Sequence, residues 1–230
     1  MAIYAISDLH LSLGTQKPMD VFEGWEGYVE KIEKNWKEKV KEEDTVVIAG
    51  DISWAMKLEE SKNDFAFINS LPGKKILIKG NHDYWWSTKK KIEDFFKANK
   101  FDSISIIQNT AIKVGEHCIC GTRGWMMNSE TQEDVKILNR EIGRLKTSLD
   151  IAKKENLEPI LFLHYPPVYG GEECKDIIDI LIARNIKKCY YGHVHGSRAM
   201  KKAVVGDYKG MDFKLISCDY IGFSPVVVTN

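Results

Sequence analysis

The amino-acid sequence predicts an α/β domain with mixed β-sheets, and three observations carry the prediction. Short apolar runs recur along the 230 residues, and longer stretches with helical spacing lie between them. That alternation suits a layered α/β domain, in which helices cover sheet faces. In the middle and at the end of the chain, strand-like runs follow one another with no helix between them. Adjacent strands joined by short turns run antiparallel, so the sheets should not be purely parallel.

The strand-like runs are Ile3 to Ile6, Thr45 to Ala49, Lys75 to Ile78, Pro159 to Leu163 and Lys188 to Tyr191. Each has the length and the Ile, Val, Leu or Tyr content of a buried strand. Phe22, Trp25, Val29, Ile32, Trp36 and Val40 step by three or four residues, as do Ile137, Ile142, Leu145, Leu149 and Ala152. Such spacing places each set on one face of a helix. Ile104 to Cys120 reads as consecutive strands with a turn near Asn109. Ala203 to Val228 reads as strands with turns at Gly206-Asp207 and Lys209-Gly210. No repeat, low-complexity tract or linker interrupts the pattern, so one domain over residues 1–230 is expected.

Lysine plus arginine equals aspartate plus glutamate, at 33 each. A neutral balance gives no electrostatic footprint for duplex nucleic acid or an anionic membrane, and neither is an expected partner. Cys118, Cys120, Cys174, Cys189 and Cys218 are odd in number and lack C-x-x-C spacing. They indicate neither a disulfide framework nor a zinc knuckle and suit a reducing compartment. Met1 to Asp8 has no basic segment or cleavage site, and no apolar run nears the roughly 18 residues of a membrane span. A cytoplasmic protein is expected.

The chemistry-bearing residues follow the strand-like runs directly. Asp8 and His10 come after the first, Gly50-Asp51 after the second, and Gly80-Asn81-His82-Asp83 after the third. His164 comes after the fourth and Gly192-His193-Val194-His195 after the fifth. Ligands of open α/β sheets bind at the carboxyl ends of strands, so five ends deliver Asp, Asn and His to one rim. In extended backbone, residues two apart point the same way, which would let Asp8 with His10, and His193 with His195, face a common centre. A lone histidine at such a junction is more often structural, Asp51 could cap a helix, and Asn81 could serve a turn. Five of the six histidines fall at these junctions, however, with only His117 elsewhere. Independent structural roles would not gather them there, so a metal site is expected.

As a set, Asp8-x-His10, Gly50-Asp51, Gly80-Asn81-His82-Asp83, His164 and Gly192-His193-x-His195 resemble the signature of the calcineurin-like metallophosphoesterases. The resemblance implies a four-layer αββα sandwich of two mixed β-sheets flanked by helices. It also implies two divalent metal ions, one held by Asp8, His10, Asp51 and His195, the other by the bridging Asp51 with Asn81, His164 and His193. It makes His82 the catalytic histidine and gives Asp83 the place to orient it. One departure is Trp54, where the family often has a second aspartate. The Gly-Asp-x-x-Asp-Arg-Gly pattern of the Ser/Thr protein phosphatase branch is therefore absent.

Imidazole with carboxylate suits borderline transition ions, with manganese or iron favoured and zinc, cobalt or nickel also compatible. Two such ions can share a water and lower its pKa for attack on phosphorus. His82 would protonate the leaving oxygen. The expected substrate is a small phosphate ester, foremost a diester of nucleotide-like character; a phosphomonoesterase and a non-catalytic scaffold of the same fold are the alternatives. Arg123, between Gly121 and Gly124, offers a planar fork for phosphate oxygens. Trp125, Tyr84, Trp85 and Trp86 are candidates to stack on a substrate ring; equally, Arg123 could pair with a surface carboxylate and Trp125 cover the core.

Overall fold

A computed structural model describes residues 1–125 and 131–229. In chain order the elements are β1 (Ile3–Ile6), α1 (Tyr28–Lys39), β2 (Thr45–Ala49), α2 (Lys62–Ser70), β3 (Lys74–Ile78), α3 (Lys89–Ala98), β4 (Ile104–Ile106), β5 (Ile112–Val114) and β6 (His117–Thr122). They continue with α4 (Gln132–Lys154), β7 (Glu158–Leu163), β8 (Val168–Tyr169), β9 (Glu172–Glu173), α5 (Lys175–Ala183), β10 (Lys188–Tyr191), α6 (Ser197–Met200), β11 (Gly206–Tyr208), β12 (Met211–Leu215) and β13 (Val226–Thr229). One sheet has the order β13-β1-β2-β3-β4, and the other β11-β12-β10-β7-β6-β5. Both are mixed. In the first, β13 runs antiparallel to β1; in the second, β5 and β11 run antiparallel to parallel neighbours.

Strand alternation divides the apolar residues among three cores. Ile3, Ala5, Val47, Ala49, Ile76 and Ile78 point from the first sheet to meet Ile119, Ile160, Phe162 and Tyr190 of the second. Their neighbours Ile6, Val46, Ile48 and Leu77 turn outward onto Ile32, Trp36, Phe65, Ile68 and Phe96 of α1, α2 and α3. On the far side, Cys118, Cys120, Leu161, Leu163 and Tyr191 turn outward onto Leu145, Leu149, Ile177 and Leu181 of α4 and α5. Helices, sheet, sheet and helices make the four-layer sandwich that the resemblance implied. Among the described residues, no helix is long and apolar enough to cross a membrane.

Three local expectations change. The first helix begins at Tyr28, so Phe22 and Trp25 precede it instead of extending its face. The segment around Asn109 is a crossover between sheets: β4 pairs with β3 in one, while β5 and β6 form a hairpin in the other. Gly206-Asp207 lies within β11, paired with Phe213 and Asp212, and the turn is at Lys209-Gly210 alone, both at positive φ.

Phe65 of α2 makes edge contacts with Trp85 and Phe96, ring centroids 4.9 Å away in each case. Phe65→Ala is expected to cost ~3–5 kcal/mol, from lost transfer energy and an incompletely collapsed cavity. Chemical denaturation should detect this as a lower midpoint at an unchanged m-value.

Candidate metal centre

The strand ends bring the predicted ligands together in two groups. Asp8, His10 and His195 form one, and Asp51, His164 and His193 the other, with one donor atom from each residue within 4.8 Å of the rest of its group. Each group draws on both sheets, with Asp8, His10 and Asp51 following β1 or β2 and His164, His193 and His195 following β7 or β10. Asp51 links the groups, because its Oδ2 is 3.7 Å from His10 Nε2 and 3.4 Å from His164 Nε2. Asn81 joins the second group, with Oδ1 2.7 Å from His164 Nε2 and 2.9 Å from His193 Nδ1.

The backbone reaches this arrangement under strain. Asp8, His10, Asp51 and His193 have φ of 61°, 45°, 51° and 70°, a left-handed region that non-glycine residues seldom adopt. Asp8 and His10 therefore converge through paired left-handed turns and not through the extended geometry that their spacing suggests. Surrounding hydrogen bonds hold them: the amides of Asp8 and His10 donate to the carbonyls of Gly50 and Asp51, at 2.9 Å each. Conformations of this kind persist only where the surroundings over-determine them, and they cluster at functional sites. Gly80 and Gly192 are needed for close approach. A Cβ on Gly80 would run into the Asp51 carboxylate, and one on Gly192 into Ser7 and the Asp8 carboxylate.

Hydrogen bonds from outside the cluster aim its rings. His164 Nδ1 meets the Ala49 carbonyl at 3.0 Å, and His195 Nδ1 meets Asp219 Oδ1 at 2.9 Å. Each contact places the Nδ1 proton outward and presents Nε2 to the cluster, the arrangement usual for metal-ligating histidines. Asp219 also accepts from the Gly196 amide at 2.9 Å. It was not anticipated from the sequence.

The donors fit a cation. With bonds of about 2.1 Å to a transition ion, neighbouring donors stand roughly 3.0–3.4 Å apart. His195 Nε2 lies 3.1 Å from Asp8 Oδ1, yet it is buried without a properly directed hydrogen bond, as is His10 Nδ1. With the His164 Nδ1 proton given to the Ala49 carbonyl, its Nε2 meets the Asn81 oxygen bare, and this contact calls for an added proton or a cation. The charges agree. Burial works against protonating His164 and His195, but the carboxylates outweigh it and push them up to about 9 and about 10. Burial pushes His10 and His193 down to about 4. Asp8 is lowered because His195 and its neighbours overcome the effect of burial.

The catalytic candidates separate. His82 borders the cluster, with its amide donating to Asp51 Oδ1 at 2.8 Å and its buried Nδ1 without a partner. Asp83 is fully buried and does not orient the His82 ring. Its carboxylate accepts from the amides of Asp51, Ile52, Ser53 and Gly80 and from Trp85 Nε1, at 2.7–3.3 Å. Burial and the Asp51 charge push Asp83 up to about 6. Arg123 turns from the cluster to Glu141, 3.6 Å away, and over the Trp125 ring at 4.6 Å. That carboxylate is buried, so the pairing is not at the surface. Trp85 is a core residue, while Tyr84 is exposed.

Aromatic walls adjoin the cluster. Trp54 stacks on His10 at 4.9 Å and lies 4.5 Å from His82, and Tyr165 lies 4.3 Å from His193. A cleft of about 730 Å³ opens beside His10, His82 and His195, walled by Met19, Phe22, Trp25 and Trp54.

The profile of the calcineurin-like phosphoesterase family matches residues 1–197, and the chain belongs to that family. Membership supports metal-dependent phosphoester hydrolysis. Among solved structures, a protein of unknown function from Aquifex aeolicus aligns at 20% identity and a TM-score of 0.52, over 98% of this chain and 95% of that one. The protein TT1561 of Thermus thermophilus aligns at 11% identity and a TM-score of 0.58, over 99% and 97%. Both show the shared fold. No curated protein matches the chain.

Manganese should raise the Tm of the wild-type protein, because a ligand of the folded state stabilises it. Asp219→Asn is expected to weaken manganese binding by ~10–100-fold through loss of His195 orientation. Titration against a competing fluorescent chelator measures this; affinity equal to wild type would remove the role assigned to Asp219.

Proposed function

We propose that this chain hydrolyses phosphodiesters, with two divalent transition ions held by Asp8, His10, Asp51, Asn81, His164, His193 and His195. The observation that carries the reading is the placement of Asp51, one carboxylate within 4 Å of a histidine from each of two ligand groups. Manganese or iron suits this nitrogen and oxygen set. Ions held there would acidify a water and offset charge on the phosphoryl oxygens.

The protein's own residues supply the rest. His82 lines the cleft beside the cluster. It would hold a proton for the departing oxygen. Trp54 and Trp25 flank His10 and limit water on that side. The cleft suits an aromatic or apolar ester group, and its exposed edge is Phe22. Among the described residues its lining includes the acids Glu23 and Asp219 and no lysine or arginine, although Lys17 Nζ lies 5.5 Å from the Trp54 ring. A diester carries one negative charge where a monoester carries close to two, so this lining favours the diester.

Two measurements test the proposal. Manganese-loaded protein should cleave bis-p-nitrophenyl phosphate at least tenfold faster than p-nitrophenyl phosphate, on the charge argument above; the reverse order would make it a monoesterase. His82→Ala should lower kcat by ~10²–10⁴-fold with manganese content retained, the range for general-acid help. The loss should be smaller for esters with good leaving groups, and an equal loss across leaving groups would remove the general-acid role.

A further inference from the structure

A second pocket, of about 150 Å³, opens at the carboxyl ends of β3 and β6. Lys79, Trp86, Gln108, Arg123, Glu141 and Arg144 contribute to its wall. Its charges do not balance. Glu141 reaches in from α4, only 1% exposed. Its Oε1 pairs with Arg144 at 2.6 Å and with Arg123 at 3.6 Å, and Oε2 accepts from the Thr122 hydroxyl. The carboxylate is thus fully engaged, while Arg123 Nε is buried without a hydrogen-bond partner. Among the described residues no carboxylate lies within ion-pair distance of Lys79. Among the described lining residues three cations face one anion, a surplus of about two positive charges in a partly dry recess. A partly desolvated surplus of positive charge is costly, so such a recess favours an anion that offsets it.

The donors suit an oxyanion. A guanidinium presents a planar fork, and an ammonium a mobile point charge. Gln108 Oε1 accepts from Trp86 Nε1 at 3.3 Å, which leaves its amide nitrogen free to donate. The recess is tied to the candidate metal centre through the backbone. The Arg123 carbonyl accepts from the amides of His164 and Tyr165 at 3.2 and 2.9 Å, and Gly80 and Asn81 follow Lys79 directly.

We infer that Lys79, Arg123 and Arg144 form an oxyanion pocket beside the metal centre, which receives a phosphate group of the substrate other than the one hydrolysed. The assignment of that phosphate to the substrate rests on the phosphoesterase reading; the pocket itself does not. The substrate class is then a phosphoester with a second phosphate or a similar oxyanion.

Equilibrium dialysis of manganese-loaded protein against labelled inorganic phosphate tests the pocket. Two phosphates per chain are expected for wild type and one for the Lys79→Gln/Arg144→Gln variant, with manganese content and Tm as folding controls. One phosphate for wild type and none for the variant would keep the pocket but remove the metal centre as a phosphate site. Equal numbers in both proteins would overturn the pocket. Arg144→Gln alone, at a more exposed position, serves if the double variant does not fold. Competition identifies the source of the anion. If the group belongs to the substrate, adenosine 3′,5′-bisphosphate should inhibit p-nitrophenyl ester cleavage at least tenfold more tightly than adenosine 5′-monophosphate, and the margin should vanish in the variant. Equal inhibition by the two nucleotides, together with the dialysis difference, would make free phosphate the ligand and overturn the substrate assignment.

Discussion

The buried carboxylate of Asp83 is the constraint on which the rest of the site depends. It gathers five N–H donors from the loops that follow β2 and β3. Those loops are where the backbone has least freedom, with Asp51 at positive φ and Gly80 pressed against the Asp51 carboxylate. Charge-assisted bonds of this kind are stronger than neutral ones, and buried amides without partners would cost more than the bonds return. With the Asp51 backbone fixed, its carbonyl holds the His10 amide and its Oδ1 takes the His82 amide. One acid without a free lone pair for chemistry thereby positions the linking acid, one histidine of the first group and the histidine at the cleft.

The sandwich explains why the candidate ligands gather in two groups at this rim. Parallel strands direct their carboxyl ends the same way, and here two sheets do so side by side. Asp8, Asp51 and Asn81 come from β1, β2 and β3, and His164, His193 and His195 from β7 and β10. Neither sheet holds a full ligand group. The His193 amide already donates to both oxygens of Asp8 across the seam, at 3.1 and 3.0 Å. Cations at the seam would add to the apolar core that joins the sheets, so binding and sheet packing are thermodynamically linked.

What was legible in the sequence follows from physical necessity. Buried strands need unbroken apolar runs, and metal ligands need particular side chains at strand ends, so β1, β2, β3, β7 and β10 and the ligand residues could be read from local text. Asp219 could not, because its hydrogen bond to His195 spans 24 residues and exists only once β12 lies beside β10. The crossover near Asn109 was hidden for a related reason. Ile104 and Ile106 of β4 and Ile112, Val114 and Ile119 of the hairpin show similar apolar alternation, although the former pack on the helix side of the first sheet and the latter between the sheets. Asp83 was misassigned because proximity to His82 in sequence says nothing of direction. His82 faces the cleft, while the next side chain turns into the protein.

Trp54 shows how one departure from a family pattern alters the character of a site. A carboxylate at that position would bring a further negative charge and its water. The indole instead lies flat on His10, with an interplanar angle of 22°, and reaches His82. Together with Trp25 it surrounds the His10 ring with apolar surface and strengthens electrostatic interactions inside by lowering the local dielectric. The recess at the carboxyl ends of β3 and β6 is built otherwise, with Lys79, Arg123 and Arg144 around one engaged carboxylate. A chain whose charges cancel overall thus keeps an aromatic wall and a basic recess apart. An aromatic wall suits the organic part of an ester, and a basic recess suits its anionic part. Net charge alone concealed that division, because the surplus of about two charges in the recess is offset by acids elsewhere.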